Sequence, residues 1–412
     1  MSGKTELRLF DEPLPQVVID EGMFEDITPT TSIGDDKSTI EFLIHGSANE
    51  YLDLNDTILY IKLKVLGGHG ANNLAANSNV TPVNYFMNAL FSDITLTLNN
   101  TVIEGGNRTY AYKSTMDCIF NFSGTSKYFQ LAPMGFNEDA DERKKLITQS
   151  RECELVGALR LDFFNQPKYL LPGVNVSLKM SRAKDLFALT GGGQCNPLIK
   201  FLNMRLYVRR VRVNPSVMKA HEDGLTKRNA IHPYTRGEVT SYSVAQGSLA
   251  HVKDGLFSGS LLPKFLVVGF VKTTAFNGTG LVDSPFTFND FTVSSIGLYR
   301  NGQLVPFSDM YEGKGMKEYL RSIVHNTQLL NTNFTNGISF APFHNGPYTL
   351  FTFNLTPDFD MTNSQLPRDG NLRLEIKFRN PLAQPINVVI YGTFDSQIQI
   401  TKNRPIICSH VH

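Results

Sequence analysis

Phe91-Ser-Asp-Ile-Thr-Leu-Thr-Leu-Asn-Asn-Thr-Val-Ile103 aligns without a gap on Val293-Ser-Ser-Ile-Gly-Leu-Tyr-Arg-Asn-Gly-Gln-Leu-Val305. Each stretch reads as a strand, a tight turn on Asn-Asn or Asn-Gly, and a second strand. The offset of 202 residues is close to half of the 412-residue chain. A tandem duplication of one β-module accounts for that offset, and two fused β-modules point towards a structural material rather than a catalyst.

Outward from the hairpins, the same grammar continues. Residues 38–44 are apolar at every second position apart from a Leu43 insert. In 58–65, Leu59, Ile61, Leu63 and Val65 fall on one face and Tyr60, Lys62 and Lys64 on the other. That period of two predicts a half-buried strand. Residues 82–90 suit a short helix, with Pro82 at its start. Strands resume at 154–161, at 174–180 after the Pro172-Gly173 turn, and at 201–213. Asn214-Pro215 then breaks the chain, and a helix over 217–223, capped by Ser216 and closed by Gly224, is expected as a linker.

The second half repeats this order with strands at 239–244, 264–272, 293–305, 348–354, 371–378, 386–391 and 396–401. Residues 264–272 match 58–65 in place, and 371–378 match 174–180 at an offset of 198. Two loop-rich excursions, 104–150 and 306–345, occupy equivalent positions. About eight short strands per half, with turn signals between them and no regular helices separating them, predict antiparallel sandwiches or jelly rolls. Residues 1–38, with Pro13, Pro15 and Pro29 and little periodicity, read as an arm.

Composition narrows the function classes. Lys+Arg 39 against Asp+Glu 38 gives a formal charge of +1, which offers no electrostatic case for wrapping nucleic acid. The longest apolar run, 261–271, is short and carries Lys264, so no membrane span is expected. Residues 1–8 show no apolar stretch of a secretory signal, and Cys118, Cys153, Cys195 and Cys408 match no metal or redox spacing; reduced thiols in an intracellularly made protein follow.

Catalytic motifs are missing. Gly67-Gly-His-Gly70 and Gly191-Gly-Gly193 lack the strand–turn–helix setting of a phosphate loop and read as loop glycines. Neither Gly-X-Ser-X-Gly nor His-Glu-X-X-His occurs. Cys408-Ser-His-Val-His412 reads as a tail rather than a zinc site, and the 138–145 charge run as a solvated helical face. The nine histidines are scattered, which argues against a cupin-type metal enzyme. No cofactor or metal is expected. One basic concentration stands out: Arg205, Arg209, Arg210 and Arg212, read as a charge-guarded sheet edge or interdomain surface.

Particular residues carry a resemblance. Phe10-Asp-Glu-Pro13, the 38–57 stretch from Ser-Thr-Ile-Glu-Phe to Asn-Asp-Thr, Thr81-Pro-Val-Asn-Tyr-Phe86, Phe164-Asn-Gln-Pro-Lys-Tyr-Leu-Leu-Pro-Gly173 and Tyr207-Val-Arg-Arg-Val-Arg-Val-Asn-Pro-Ser-Val217 with Ala220-His221 resemble the double jelly-roll major capsid proteins of Polinton (Maverick) elements and adintoviruses. In the second half, His232-Pro-Tyr-Thr-Arg236, Ala275-Phe-Asn-Gly278, Ser284-Pro-Phe-Thr-Phe288, Asn354-Leu-Thr-Pro-Asp358 and the 370–404 segment are similar again.

The resemblance implies an all-β double jelly roll, two tandem eight-stranded antiparallel barrels with short helices in the linker and excursions. Its parts would be an arm (1–38), a first jelly roll (39–213), a linker with a short helix (214–226), a second jelly roll (227–402) and a tail (403–412). It implies a non-enzymatic capsid subunit. Homotrimers would form pseudo-hexagonal capsomers that tile an icosahedral shell around double-stranded DNA. Partners would be further copies of the chain, penton and minor capsid proteins, with no sequence-specific nucleic-acid binding. The place of residence would be the virion, after synthesis in host cytoplasm and assembly in the host nucleus. The excursions would build outer towers, and the arm would tie neighbours together. Arg8, Phe10, Phe24, Arg209, Arg210, Arg212 and His221 are the expected interaction residues. The competing reading from another class is a cellular or domesticated β-sandwich binding module without lattice assembly.

Overall fold

A computed structural model describes residues 16–33, 39–68, 72–192, 196–259, 261–305, 315–324, 337–357 and 364–408. Sixteen of its strands form two equivalent sets of eight. The first set is β1 (Ile19–Ile27), β2 (Ile40–Ile44), β3 (Tyr51–Gly67), β4 (Phe91–Leu98), β5 (Thr101–Glu104), β6 (Cys153–Ala158), β7 (Val176–Arg182) and β8 (Leu198–Val213). The second is β9 (Ala230–Val244), β10 (Ala250–Asp254), β11 (Phe265–Lys272), β12 (Val293–Arg300), β13 (Gln303–Val305), β14 (Leu350–Asn354), β15 (Leu372–Phe378) and β16 (Ile386–Ile400).

In the first set the strands order as β1-β8-β3-β6 in one sheet and β2-β7-β4-β5 in the other; the second set gives β9-β16-β11-β14 and β10-β15-β12-β13. All neighbours are antiparallel. Each strand of the second half holds the sheet position of the strand eight before it, so the chain is a double jelly roll. The quoted hairpins are β4–β5 and β12–β13. Their turns both put an asparagine in the left-handed region, Asn99 at φ 51° and Asn301 at φ 51°, a conformation that asparagine tolerates better than other non-glycine residues. Even the hydrogen bonds repeat: Asn99 N–H donates to Asn175 O (2.8 Å) and Asn175 N–H to Asn99 Oδ1 (3.0 Å), while Asn301 N–H donates to Asn371 O (2.9 Å) and Asn371 N–H to Asn301 Oδ1 (2.8 Å).

The alternation read in β3 is realised, since Leu59, Ile61, Leu63 and Val65 are fully buried while Tyr60, Lys62 and Lys64 are half-buried. One register differs. Met180 faces Ile94 and Ile376 faces Ile296, so Met180 corresponds to Ile376 rather than to Phe378. A two-residue slip leaves the same face inward, which is why alternation alone did not resolve it. Strands expected separately at 386–391 and 396–401 are one continuous strand, β16.

Two boundaries move. The arm expected over 1–38 includes β1, which pairs along its length with β8; the first barrel therefore begins at Ile19. In the expected tail, Ile406–Cys408 is a short strand paired with the end of β16. The linker helix α1 spans Pro215–Leu225, and its N-cap is Asn214, whose side chain accepts the Ser216 N–H at 3.0 Å. Ser216 is thus the second residue of the helix rather than its cap.

The two barrels share a seam. β11 is apolar at nearly every position because both of its faces are buried. Leu266, Val268 and Phe270 enter the second barrel's core, and Phe265, Val267 and Val271 join the cluster continuous with the first barrel. Between the barrels lies α2 (Tyr110–Asn121), buried from Tyr110 to Phe120. The expectation of the 104–150 excursion as an outer tower is therefore corrected for this helix. A helix buried all round carries no single apolar stripe to recognise.

Candidate functional site

Of the expected interaction residues, Phe24 lies on β1, Arg209, Arg210 and Arg212 on β8, and His221 on α1. β8 carries the arginines and lies between β1 and β3, so it is an inner strand and not the guarded edge expected from sequence. Its partner β1, Ile-Asp-Glu-Gly-Met-Phe-Glu-Asp-Ile, is acidic. Arg205 Nη1 reaches Asp26 Oδ2 at 2.9 Å, Arg210 Nε reaches Glu25 Oε2 at 2.7 Å, and Arg212 pairs with Glu21. On the β3 side, Arg209 Nη1 reaches Asp56 Oδ2 at 2.7 Å and Asp53 Oδ2 at 3.1 Å. Burial and the adjacent Asp56 hold the Asp53 carboxyl above its ordinary range, with Arg209 opposing. The basic strand is thus answered by acids of its own chain. In sequence the signal was the acidic run 20–26, which precedes the first alternating stretch, 38–44.

Phe24 stands opposite Arg209 in register and is 55% exposed, beside exposed Met23. His221 lies on α1, with Nδ1 2.8 Å from the Tyr51 hydroxyl. The next residue, Glu222, accepts from Arg404 Nη2 at 2.6 Å, and Arg404 Nε donates to Pro172 O at 2.7 Å. Linker and C-terminal segment therefore grip the first barrel together. Arg8 and Phe10 lie outside the described residues, as do the 193–195 glycine–cysteine segment and His410 and His412.

Sequence reading missed the polar centre of the seam. Lys113 on α2 pairs with Glu104 and with Asp162, whose Oδ1 is 2.8 Å from Nζ. Asp162 N–H donates to Glu104 Oε2 at 2.8 Å, and Asp162 Oδ2 accepts the Gly237 N–H of the second barrel at 2.8 Å. Burial and Asp162 push the Glu104 carboxyl up to about 7, against the pull of Lys113. Burial disfavours the charge on Lys113, but its two carboxylates outweigh it and hold the ammonium above its ordinary value. Two carboxylates around one cation make a structural tie, and residues so far apart in sequence gave no spacing to recognise. Among the described residues no group of three or more His, Cys, Asp or Glu is placed to hold a metal ion. No helix among them is long and apolar enough to cross a membrane.

Ion pairs and hydrogen bonds within the chain hold these elements together. No family model matches the sequence, and no curated protein matches it. Solved structures do match in fold over nearly their whole length. The Sputnik virophage cryo-EM structure gives a TM-score of 0.65 at 12% identity, covering 99% of this chain and 93% of that one. A quasi-atomic model of the PBCV-1 virus capsid gives 0.62 at 12%, covering 98% and 100%. The mavirus major capsid protein gives 0.59 at 9%, covering 98% and 93%.

Proposed function

We propose that this chain is the major capsid protein of a double jelly-roll virus or virus-like element. It associates as homotrimers whose six barrels form a pseudo-hexagonal capsomer, and capsomers tile an icosahedral shell around double-stranded DNA. The observation that supports this reading most is the repetition of one eight-strand order in two fused barrels, matched end to end by capsid structures. Three copies of two similar barrels approximate sixfold symmetry from a closed threefold assembly. Residues such as 164–173 and 207–217 favour the Polinton and adintovirus lineage within that class.

Penton and minor capsid proteins are the further partners, the virion is the place of residence, and host-nuclear assembly follows the lineage. Catalysis and a cofactor have no part in this function. Genome charge is neutralised by something else, because the arginines of β8 are already matched by β1 and β3 acids.

Light scattering of the purified chain, followed by negative-stain microscopy of the same fraction, tests the proposal. The expected mass is three times the 46.0 kDa chain, with hexagonal outlines or closed shells. A monomer that never assembles, even when concentrated, overturns it and favours the binding-module reading.

A further inference from the structure

The buried tie in the seam has the parts of a condensation site. Lys113 and Asp162 are each 6% exposed, and Nζ stands 2.8 Å from Asp162 Oδ1. Glu104 touches the same Nζ through Oε1, while its Oε2 takes the Asp162 N–H at 2.8 Å. One carboxylate is therefore fixed beside the amine, and a second is fixed against both. Nζ also donates to Arg160 O at 3.2 Å, which helps to orient it. The far oxygen, Asp162 Oδ2, accepts the Gly237 N–H at 2.8 Å. A backbone donor in that place answers the charge that builds on a carbonyl oxygen under attack.

Burial sets this pair apart. Lys272 and Asp283 also meet, at 2.7 Å, but their side chains are 31% and 30% exposed, so water keeps both ions charged. In the seam, an ion pair taken out of water loses much of its advantage over the neutral amine and acid. The two carboxylates hold Lys113 charged against release of its proton to solvent. A proton that passes along the 2.8 Å contact to Asp162, however, stays within the pair. Glu104, held near 7 by burial and by Asp162, both takes and gives a proton at neutral pH.

We infer that Lys113 and Asp162 join in an amide bond, Nζ to Cγ, which the chain forms on itself with Glu104 as the proton carrier. The first Nζ proton moves to Asp162 Oδ1, leaving a neutral amine and a carboxylic acid. The amine lone pair attacks Cγ, and the carbonyl electrons move onto Oδ2, which faces the Gly237 N–H. Glu104 takes a second Nζ proton and delivers it to Oδ1. The Cγ–Oδ1 bond breaks, Oδ1 leaves as water, and Oδ2 regains its double bond. The third proton stays on the amide nitrogen, and Glu104 ends as it began. Nothing is oxidised or reduced, and no co-reactant is needed. Asp162 also lines a cavity of about 400 Å³, wide enough to receive the water. The bond ties α2 covalently to the 162–165 turn. It forms once in each chain, so it makes no enzyme of the protein, and it does not depend on the capsid reading.

The test is the intact mass of the purified full chain, measured after denaturation. It should fall below the sequence mass by one water. Tryptic digestion should leave Lys113 uncut and give one branched peptide that carries both Lys113 and Asp162. Lys113→Arg keeps the cation, but its guanidinium holds its proton and is no nucleophile; this variant should show its full sequence mass, with circular dichroism as in the parent. After cell-free synthesis, Glu104→Gln should form the bond at least ~100-fold more slowly, the scale of a lost acid–base group. A parent chain that keeps its full sequence mass through incubation at neutral pH overturns the inference. A water lost elsewhere, as in a succinimide at Asp369-Gly370, overturns it as well. A Glu104→Gln chain that condenses as fast as the parent overturns the role of Glu104.

Discussion

Lys113 of the first barrel's buried helix and Asp162 meet at 2.8 Å inside the seam, and the other oxygen of Asp162 takes the Gly237 N–H of the second barrel. The two jelly rolls are thus joined by a buried ionic tie as well as by apolar contact. Gly237 permits the approach: a Cβ there would lie 2.9 Å from the Tyr391 ring and 3.2 Å from the Lys113 side chain.

Removing the cation alone should be severe. Lys113→Met leaves Glu104 and Asp162 facing each other in the interior, and loss of one partner of a buried ionic group costs about 3–5 kcal/mol. Chemical denaturation should report a loss of that order. A loss below about 1 kcal/mol would show that water reaches the seam.

The tie also predicts a pH dependence. Glu104 has a carboxyl pKa near 7 in the folded chain, against 4.5 as its ordinary value. Between those values the folded state holds a proton that the unfolded state releases, so stability falls as pH rises through this window. The contribution from this group is at most about 3–4 kcal/mol, since each pKa unit corresponds to roughly 1.4 kcal/mol. Denaturation midpoints from pH 4.5 to 7 should decline, and Glu104→Gln should flatten the decline. An unchanged slope in the variant would exclude Glu104 as its source.

Along the β1–β8 pair, effects should follow burial. Arg210, with its side chain 11% exposed, binds Glu25 and His45 O; Arg210→Ala should cost about 1–3 kcal/mol, as hydrogen bonds to charged groups do. Arg212, 55% exposed, should cost less than about 1 kcal/mol, as surface pairs do. Hydrogen exchange across 19–27 should accelerate in the first variant and hardly change in the second. Equal effects would contradict the ranking.

Two phenylalanines of the first excursion should separate folding from assembly. Phe120 packs edge-on against Phe265 of β11 at 5.5 Å, and Phe120→Ala should destabilise by about 3–5 kcal/mol. Phe129 is 76% exposed; Phe129→Ala should stay within about 0.5 kcal/mol of the parent but lower the yield of particles if that surface joins copies. Thermal unfolding and light scattering on the same samples give both readouts.

The extent of legibility differs between strands and sites. The β3 alternation and the paired hairpins were readable because each is a local pattern with period two. β1 was not, since its residues are exposed on both sides and alternate poorly; pairing with β8 makes it a strand. β11 read as a plain apolar run because the seam covers its outer face. The arginines were visible as a basic cluster, yet Asp26, Glu25 and Glu21, which answer Arg205, Arg210 and Arg212, lie in a segment that composition alone labelled an arm.

Sequence by itself determined the duplicated module, the antiparallel all-β class and the inward faces of most strands, because periodicity and turn chemistry act over a few residues. Only tertiary structure decided which charges answer one another, where the 110–121 helix is buried and where an apolar cleft stays open. Those outcomes depend on residues such as Lys113 and Asp162, or Glu21 and Arg212, being brought from distant parts of the chain into direct contact, and on water being excluded between two barrels that no local pattern describes.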